Sequence, residues 1–222
     1  MSTEASMTIP QDMLTWFGHS SFLIRGSRIV YIDPYQIQAG PKADLILITH
    51  SHYDHCSSED VAKIARPDTI IVTEKTGLKK LTGDVRIVVP GDTLDVAGVR
   101  VEVMPAYNVG KKFHPQKNGW LGFVLLMDGL RFYHAGDTDR IPEMTGIRVD
   151  VAMLPVSGTY VMTAAEAAAA AKDIMPGLTV PMHYGSLVGS DSDAREFARL
   201  LQGVVQVAIL PLDGGASDSG GR

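Results

Sequence analysis

Three histidines and one aspartate fall within six consecutive positions in the run Thr49-His-Ser-His-Tyr-Asp-His55. So dense a set of nitrogen and oxygen donors constrains the fold more than any other stretch of the chain. A solvated turn rarely uses three histidines, so the run reads as a metal site rather than an ordinary polar loop. Residues 45–49 form a largely apolar run of strand length, which delivers the cluster to the C-terminal end of a buried strand, where open α/β sheets commonly place ligands. If the chain leaves that strand as an extended turn, a side-chain period of two sets His50 and His52 on one side, while Asp54 and His55 turn toward a neighbouring point. That geometry suits two metal ions rather than one.

Around this cluster the pattern is strand-rich at first and alternates strand with helix later. Residues 14–17, 21–25 and 28–32 read as strands joined by Gly18-His19 and Gly26-Ser27 turns, with Asp33-Pro34 ending the third. A helix should follow the histidines at once, capped by Ser57 or Ser58, with Val61, Ile64 and Ala65 at helical spacing before Pro67 stops it. Residues 69–72, 85–89, 93–96, 99–104, 120–127 and 131–134 follow as strands, the last two joined by an Asp128-Gly129 hairpin turn. Then come a strand at 149–154 and an alanine-rich helix opened by the capping-box spacing of Thr163 and Glu166, followed by a strand at 178–182, a helix at 191–201 and a last strand at 204–210.

With 222 residues, 45% of them hydrophobic, the chain buries a substantial core as one domain over residues 1–213, with 214–222 expected to be a disordered tail. A formal charge of −5 and the absence of any Lys/Arg run argue against nucleic acid as a partner. The single cysteine, Cys56, rules out an internal disulfide, and residues 1–6 lack the features of a signal peptide, so the expected location is cytoplasmic. The longest apolar stretches, 45–48 and 121–127, fall far short of the roughly 20 residues that cross a bilayer. Any membrane contact would be peripheral.

Two more donors lie directly after predicted strands: Asp137 in His134-Ala-Gly-Asp-Thr-Asp139, and His183 in Pro181-Met-His-Tyr-Gly185. A second Gly-Asp-Thr, at Gly91 to Thr93, separates two adjacent strands and reads as a plain turn. His134 reads as a buried, backbone-bonded histidine and Cys56 as a small buried residue rather than a ligand.

The set His50-x-His52-x-Asp54-His55, then Asp137, then His183 resembles the metallo-β-lactamase superfamily over nearly the whole chain. Trp16-Phe-Gly-His19-Ser with Ile32-Asp33-Pro34, the segment Leu154-Pro-Val-Ser-Gly-Thr-Tyr160 leading to Met162, and Pro181-Met-His183-Tyr-Gly185 are similar to the branch containing L-ascorbate-6-phosphate lactonase and N-acylphosphatidylethanolamine phospholipase D. The resemblance implies an α/β fold, a four-layer αββα sandwich, and a two-metal hydrolytic site. His50 and His52 would hold the first metal, and Asp54, His55 and His183 the second, with Asp137 between them. The chain departs from the branch pattern at one point. Where members supply a third histidine after Pro-Ala-x, Pro105-Ala-Tyr is followed by Asn108. Three alternatives stand: His114, six residues on in the long connection 105–119, takes the role; Asn108 binds weakly through oxygen; or the first site lacks a third protein ligand.

Zinc, as one or two ions, is the implied cofactor, with Mn, Fe or Ni as alternatives. Two metals about 3.5 to 4 Å apart make hydroxide available near neutral pH and polarise the oxygen under attack, so no protein nucleophile is required. Asp54 could orient that hydroxide. His19 is a candidate general acid or outer donor, against a structural histidine inside the sandwich, and Asp33 could orient a ligand histidine. Asp139 lies in an outer position at best. Lys111 and Lys112 could meet an anionic substrate, against the simpler reading of a solvated turn. The expected activity is hydrolysis of a phosphodiester, lactone or similar ester of a small molecule, in a chain whose oligomeric state stays open. The alternative is a metal- or ligand-sensing domain without turnover.

Overall fold

Period-two alternation sorts the first sheet into two faces. In the computed structural model, which describes residues 9, 10 and 12–213, Phe22, Ile24, Val30, Ile32, Leu45 and Leu47 point into a core shared with the second sheet. Their neighbours Leu23, Tyr31, Ile46 and Ile48 point the other way, against Val61 and Ile64 of a short helix. The sheet is formed by β1 (Leu14–Gly18), β2 (Ser21–Arg25), β3 (Ile29–Ile32), β4 (Leu45–Leu47), β5 (Ile70–Thr73) and β6 (Asp84–Ile87), in that spatial order. The helix is α1 (Ser58–Ile64), whose N-terminal cap is Ser57: its side chain accepts the Asp60 N–H at 3.2 Å.

The second sheet contains β7 (Thr93–Val96), β8 (Val99–Pro105), β9 (Leu121–Met127), β10 (Leu130–His134), β11 (Val151–Pro155) and β12 (Leu178–Met182), in the reverse spatial order. Its outer face is covered by α2 (Ala164–Ile174) and α3 (Asp191–Leu201), which touch each other as well as β11 and β12. Alanines 167, 168, 170 and 171 form the buried stripe of α2, and their small side chains let the helix lie close to the strands beneath. The predicted capping box is present: Thr163 Oγ1 accepts from Glu166 N–H at 3.2 Å and Thr163 N–H donates to Glu166 Oε2 at 2.8 Å. Helix, sheet, sheet and helix give the expected αββα order. No helix among the described residues is long and apolar enough to cross a membrane.

Strand directions gather the chemistry at one end. β1 and β3 are both antiparallel to β2, and β4 is parallel to β3, so the segments leaving β1, β3 and β4 emerge together. They carry His19, Asp33 and His50. In the second sheet β8 and β10 are both antiparallel to β9, and β11 and β12 run parallel to β10. The segments leaving β8, β10, β11 and β12 therefore also emerge together, carrying Asn108, Asp137, Ser157 and His183.

The strand expected at 204–210 reduces to an isolated bridge between Thr179 and Val207. Thr179 makes both bonds of that bridge, its N–H to the Gln206 carbonyl at 2.8 Å and its carbonyl to the Ala208 N–H at 3.0 Å. The next residue with its amide on that edge of β12 is Pro181, which has no N–H to donate, so the ladder stops. The expected tail at 214–222 and the leader-free reading of residues 1–6 lie outside the described residues.

Candidate metal centre

One carboxylate lies between two groups of donors. Asp137 Oδ2 is 3.1 Å from His183 Nε2, 3.2 Å from His114 Nε2 and 4.0 Å from His50 Nε2. Asp137 Oδ1 is 3.3 Å from His55 Nε2. The donor atoms of His50, His52 and His114 lie within 4.8 Å of one another, and so do those of His19, Asp54, His55 and His183. The backbone turn that delivers Asp137 requires glycine at 136: φ is +65°, and a Cβ would stand 2.4 Å from the Leu121 carbonyl oxygen.

Outer hydrogen bonds fix which way the rings face. Asp33 accepts from Thr49 N–H at 2.7 Å, from the Thr49 hydroxyl at 2.6 Å and from His55 Nδ1 at 2.7 Å. With its hydrogen given to Asp33, Thr49 Oγ1 is an acceptor for His50 Nδ1–H at 3.0 Å. Both rings thus carry hydrogen at Nδ1 and turn Nε2 toward the centre, an arrangement typical of metal-ligating histidines. Asp33 orients two of the histidines, one directly and one through Thr49. Ser157 Oγ lies 2.9 Å from His183 Nδ1 and does the same for that ring.

The connection after β8 folds His114, not Asn108, over the cluster. Asn108 Oδ1 accepts the His114 backbone N–H at 2.9 Å, and Asn108 Nδ2 donates to the Tyr160 carbonyl at 2.8 Å. His114 Nδ1 faces two acceptors, Asn108 Oδ1 at 3.3 Å and the Tyr160 carbonyl at 3.2 Å, so it must carry hydrogen. The asparagine therefore braces the histidine from behind. Asp139 anchors the same loop, accepting from Val109 N–H at 2.8 Å and Lys111 Nζ at 2.6 Å. Lys111 also donates to the Val161 carbonyl at 2.7 Å, which makes it a strut of the loop and not a free cation for substrate.

His19 Nε2 lies 3.0 Å from Asp54 Oδ2, and its Nδ1 is buried without a partner. Its carbonyl receives the His183 N–H at 2.7 Å and the Trp16 indole N–H at 3.0 Å, tying the first turn of the chain to the last ligand strand. His134 is buried and bonded to the backbone, with Nε2–H donating to the Ser20 carbonyl at 2.9 Å and Nδ1 accepting from Gly136 N–H at 3.2 Å. Cys56 lies in the core beneath α1, where burial raises its thiol to about 11. A thiol held protonated is a poor ligand.

The charges favour a cation at this point. Burial opposes ionisation of Asp54, yet the His19 hydrogen bond and the neighbouring imidazoles bring it down to about 2. Asp137 is held well below the carboxylate range against its burial, chiefly by His183 and His55. Burial disfavours charge on His55 too, but Asp137 and Asp33 outweigh it and raise the ring well above the ordinary value. His50 and His52 shift downward, first through burial, and so stay neutral as metal ligands must.

These donors fit a metal. With Nδ1 facing the Asn108 and Tyr160 oxygens, His114 aims its other ring nitrogen, Nε2, at Asp137 Oδ2 3.2 Å away, two donors that a cation could share. His55 Nε2 and Asp137 Oδ1 are buried without a hydrogen-bond partner although 3.3 Å apart, because their alignment is wrong for a hydrogen bond. A cavity of about 610 Å³ opens above the cluster, floored by His19, Asp54, Asp137 and His183.

The Beta-lactamase superfamily domain matches residues 13–183. The chain belongs to the metallo-β-lactamase superfamily. It is 34% identical over 221 residues to a UPF0173 metal-dependent hydrolase of Methanoculleus marisnigri, covering 92% of this chain and 95% of that protein. A second relative of the same description, from Thermoplasma acidophilum, is 33% identical over 215 residues, covering 89% and 94%. Among solved structures, a Parabacteroides distasonis protein superposes with a TM-score of 0.79 at 35% identity, covering 88% of this chain and 91% of that one. Within the superfamily, then, the chain is a metal-dependent hydrolase with a His/Asp cluster able to bind metal.

Sequence reasoning gave no role to Thr49, Ser157, Trp120 or the Tyr160 carbonyl. Trp120 packs against both His50 and His52 with ring centroids 4.7 Å away. Ser157 could have been found by the rule that located Asp137 and His183, since it too follows a strand of the second sheet. A backbone carbonyl leaves no mark in a sequence.

Proposed function

We propose that this metallo-β-lactamase superfamily member is a dinuclear hydrolase that cleaves a phosphodiester, lactone or similar ester, and that zinc is its metal. The observation that carries the reading is Asp137, whose carboxylate reaches His114 of one donor group and both His55 and His183 of the other. His50, His52 and His114 would hold one ion and Asp54, His55 and His183 the other, with Asp137 shared. Bound there, the ions would lower the pKa of water so that hydroxide is available near neutral pH, and would polarise the oxygen under attack. Asp54, ionised down to about 2, aligns the attacking water by accepting its hydrogen. His19, joined to Asp54 at 3.0 Å and lining the same cavity, holds that carboxylate in place from behind. The expected setting is the cytoplasm, with a small-molecule substrate.

Element analysis of purified protein should find between one and two equivalents of zinc, and stripping them should abolish hydrolysis of a panel of aryl esters, lactones and aryl phosphodiesters. Asp137→Asn should lower kcat by several orders of magnitude with the fold intact. Undiminished turnover in chelator by metal-free protein would end the reading. Full metal occupancy with no turnover of any substrate would favour the sensing alternative.

A further inference from the structure

The cavity above the donors has a polar floor and an apolar rim. Tyr53, Phe113, Tyr160, Leu187 and Val188 line its upper wall. Tyr53 is 63% exposed, and Phe113 and Leu187 are each 41% exposed. Large apolar side chains left open around one concave site mark a surface that a ligand covers. Phe113 meets Tyr160 edge to face with centroids 4.8 Å apart, so the two rings form one continuous wall. That wall is joined to the donors beneath it: Phe113 adjoins His114, and the Tyr160 carbonyl faces His114 Nδ1 at 3.2 Å.

Positive charge is scarce on this wall. Of the lining residues only Lys112 is cationic, and no arginine is among them. Lys111 is committed to Asp139 and the Val161 carbonyl. Recognition of a phosphate group away from the reacting centre normally uses arginine forks or several cations. A polyanionic substrate finds no such partners here.

We propose that the substrate is a carboxylic ester or lactone with an apolar acyl portion and at most one anionic group, and that Phe113, Tyr160 and Leu187 select it. The inference rests on the hydrolase reading above and narrows it. In the reaction, the oxygen of water bonds to the acyl carbon and the acyl C–O bond breaks. One proton of that water ends on the leaving alcohol oxygen, and the other is released as the acid ionises. No oxidant or reductant enters.

Two measurements on zinc-loaded protein test it. The first needs no turnover: binding of the product-like carboxylates butyrate, hexanoate and octanoate, followed by tryptophan fluorescence, since Trp120 lies beside His50 and His52. A fully buried methylene is worth about fourfold. On a partly open wall octanoate should bind at least ~10-fold tighter than butyrate. The second is kcat/KM for p-nitrophenyl esters from acetyl to octanoyl, compared with bis(p-nitrophenyl) phosphate. It should rise at least tenfold with chain length, and Leu187→Ala should flatten the rise while zinc content stays unchanged. Chain-length-independent binding together with flat ester kinetics would overturn the apolar-acyl assignment and leave the hydrolase reading standing, as would cleavage of the phosphodiester alone. Tighter octanoate binding with no hydrolysis of any compound would support the selecting wall while overturning the hydrolase reading.

Discussion

Asn108 holds His114 by two backbone-directed bonds, its N–H donating to the His114 carbonyl at 2.7 Å and its Oδ1 accepting the His114 N–H at 2.9 Å. The residue at the expected ligand position thus positions the histidine that we propose replaces it. His114→Ala should convert a two-metal preparation toward one equivalent, because a donor itself is lost. Asn108→Ala should weaken metal binding by only ~10- to 100-fold, the usual cost of removing an outer partner of a metal ligand. Chelator titration with element analysis distinguishes the two. Full occupancy in His114→Ala would remove His114 from the donor set.

Asp33 serves three donors in a site where it is completely buried. Asp33→Asn should cost roughly 1–3 kcal/mol, because an amide cannot accept all three hydrogens and presents an NH2 group where an acceptor is required. Its backbone is not the reason: φ is +45°, a conformation asparagine tolerates well. His55 and His50 should both lose orientation, so metal affinity should fall at both sites together. Denaturant unfolding and metal titration read the two effects. A loss confined to one site would show that Thr49 does not transmit the constraint to His50.

The fold and the placing of the candidate donors at strand ends were legible for the same reason: apolar runs of strand length end where polar donors begin. His50, Asp137 and His183 each follow such a run, and so could be placed before any distance was known. From sequence, His114 is preferred to Asn108 only as the stronger donor, because where either side chain lies depends on how the long connection after β8 folds back onto the Tyr160 carbonyl. The strand expected at 204–210 looked as apolar as the others. What stopped it was a missing N–H in a different strand, at Pro181, which no local pattern in 204–210 reports. Lys111 illustrates the same limit: its charge is visible in the chain, but its engagement by Asp139 is a tertiary fact.

Gly136→Ala should damage the centre without touching a donor. A Cβ there would stand 2.4 Å from the Leu121 carbonyl oxygen and 3.3 Å from the Thr49 methyl, at a φ of +65°. The left-handed backbone alone costs about 1–3 kcal/mol in a non-glycine residue. Leu121 N–H bonds to the Thr49 carbonyl at 3.0 Å, so relief by moving Leu121 also disturbs the segment before His50. The expected result is a lower melting temperature together with weaker metal binding. Unchanged values of both would mean that the turn relaxes freely and that Asp137 is not positioned by it.

His134 should remain neutral at pH values where an ordinary imidazole has begun to protonate. Burial is the largest influence and lowers its pKa, against smaller opposing effects from Asp33 and the Ser20 carbonyl. Its hydrogen bonds agree, since protonation would put a hydrogen on Nδ1 where the Gly136 N–H already donates at 3.2 Å. In the unfolded chain the ring titrates near its ordinary value, about 6.5. Above that pH both states are neutral and the folded state keeps its full stability. Below it the unfolded chain takes up a proton that the folded chain resists, so stability falls with decreasing pH until the folded ring also titrates. The slope for one such group is at most ~1.4 kcal/mol per pH unit. NMR titration of the zinc-loaded protein leaves this ring and His19 to titrate, because the histidines proposed as ligands cannot do so until metal leaves, and the signal lost in His134→Asn tells the two apart. A His134 resonance that titrates at or above 6.5 would contradict the assignment. One that stays neutral to lower pH, with a shallower acid loss of stability in His134→Asn than in the parent chain, is the expected outcome.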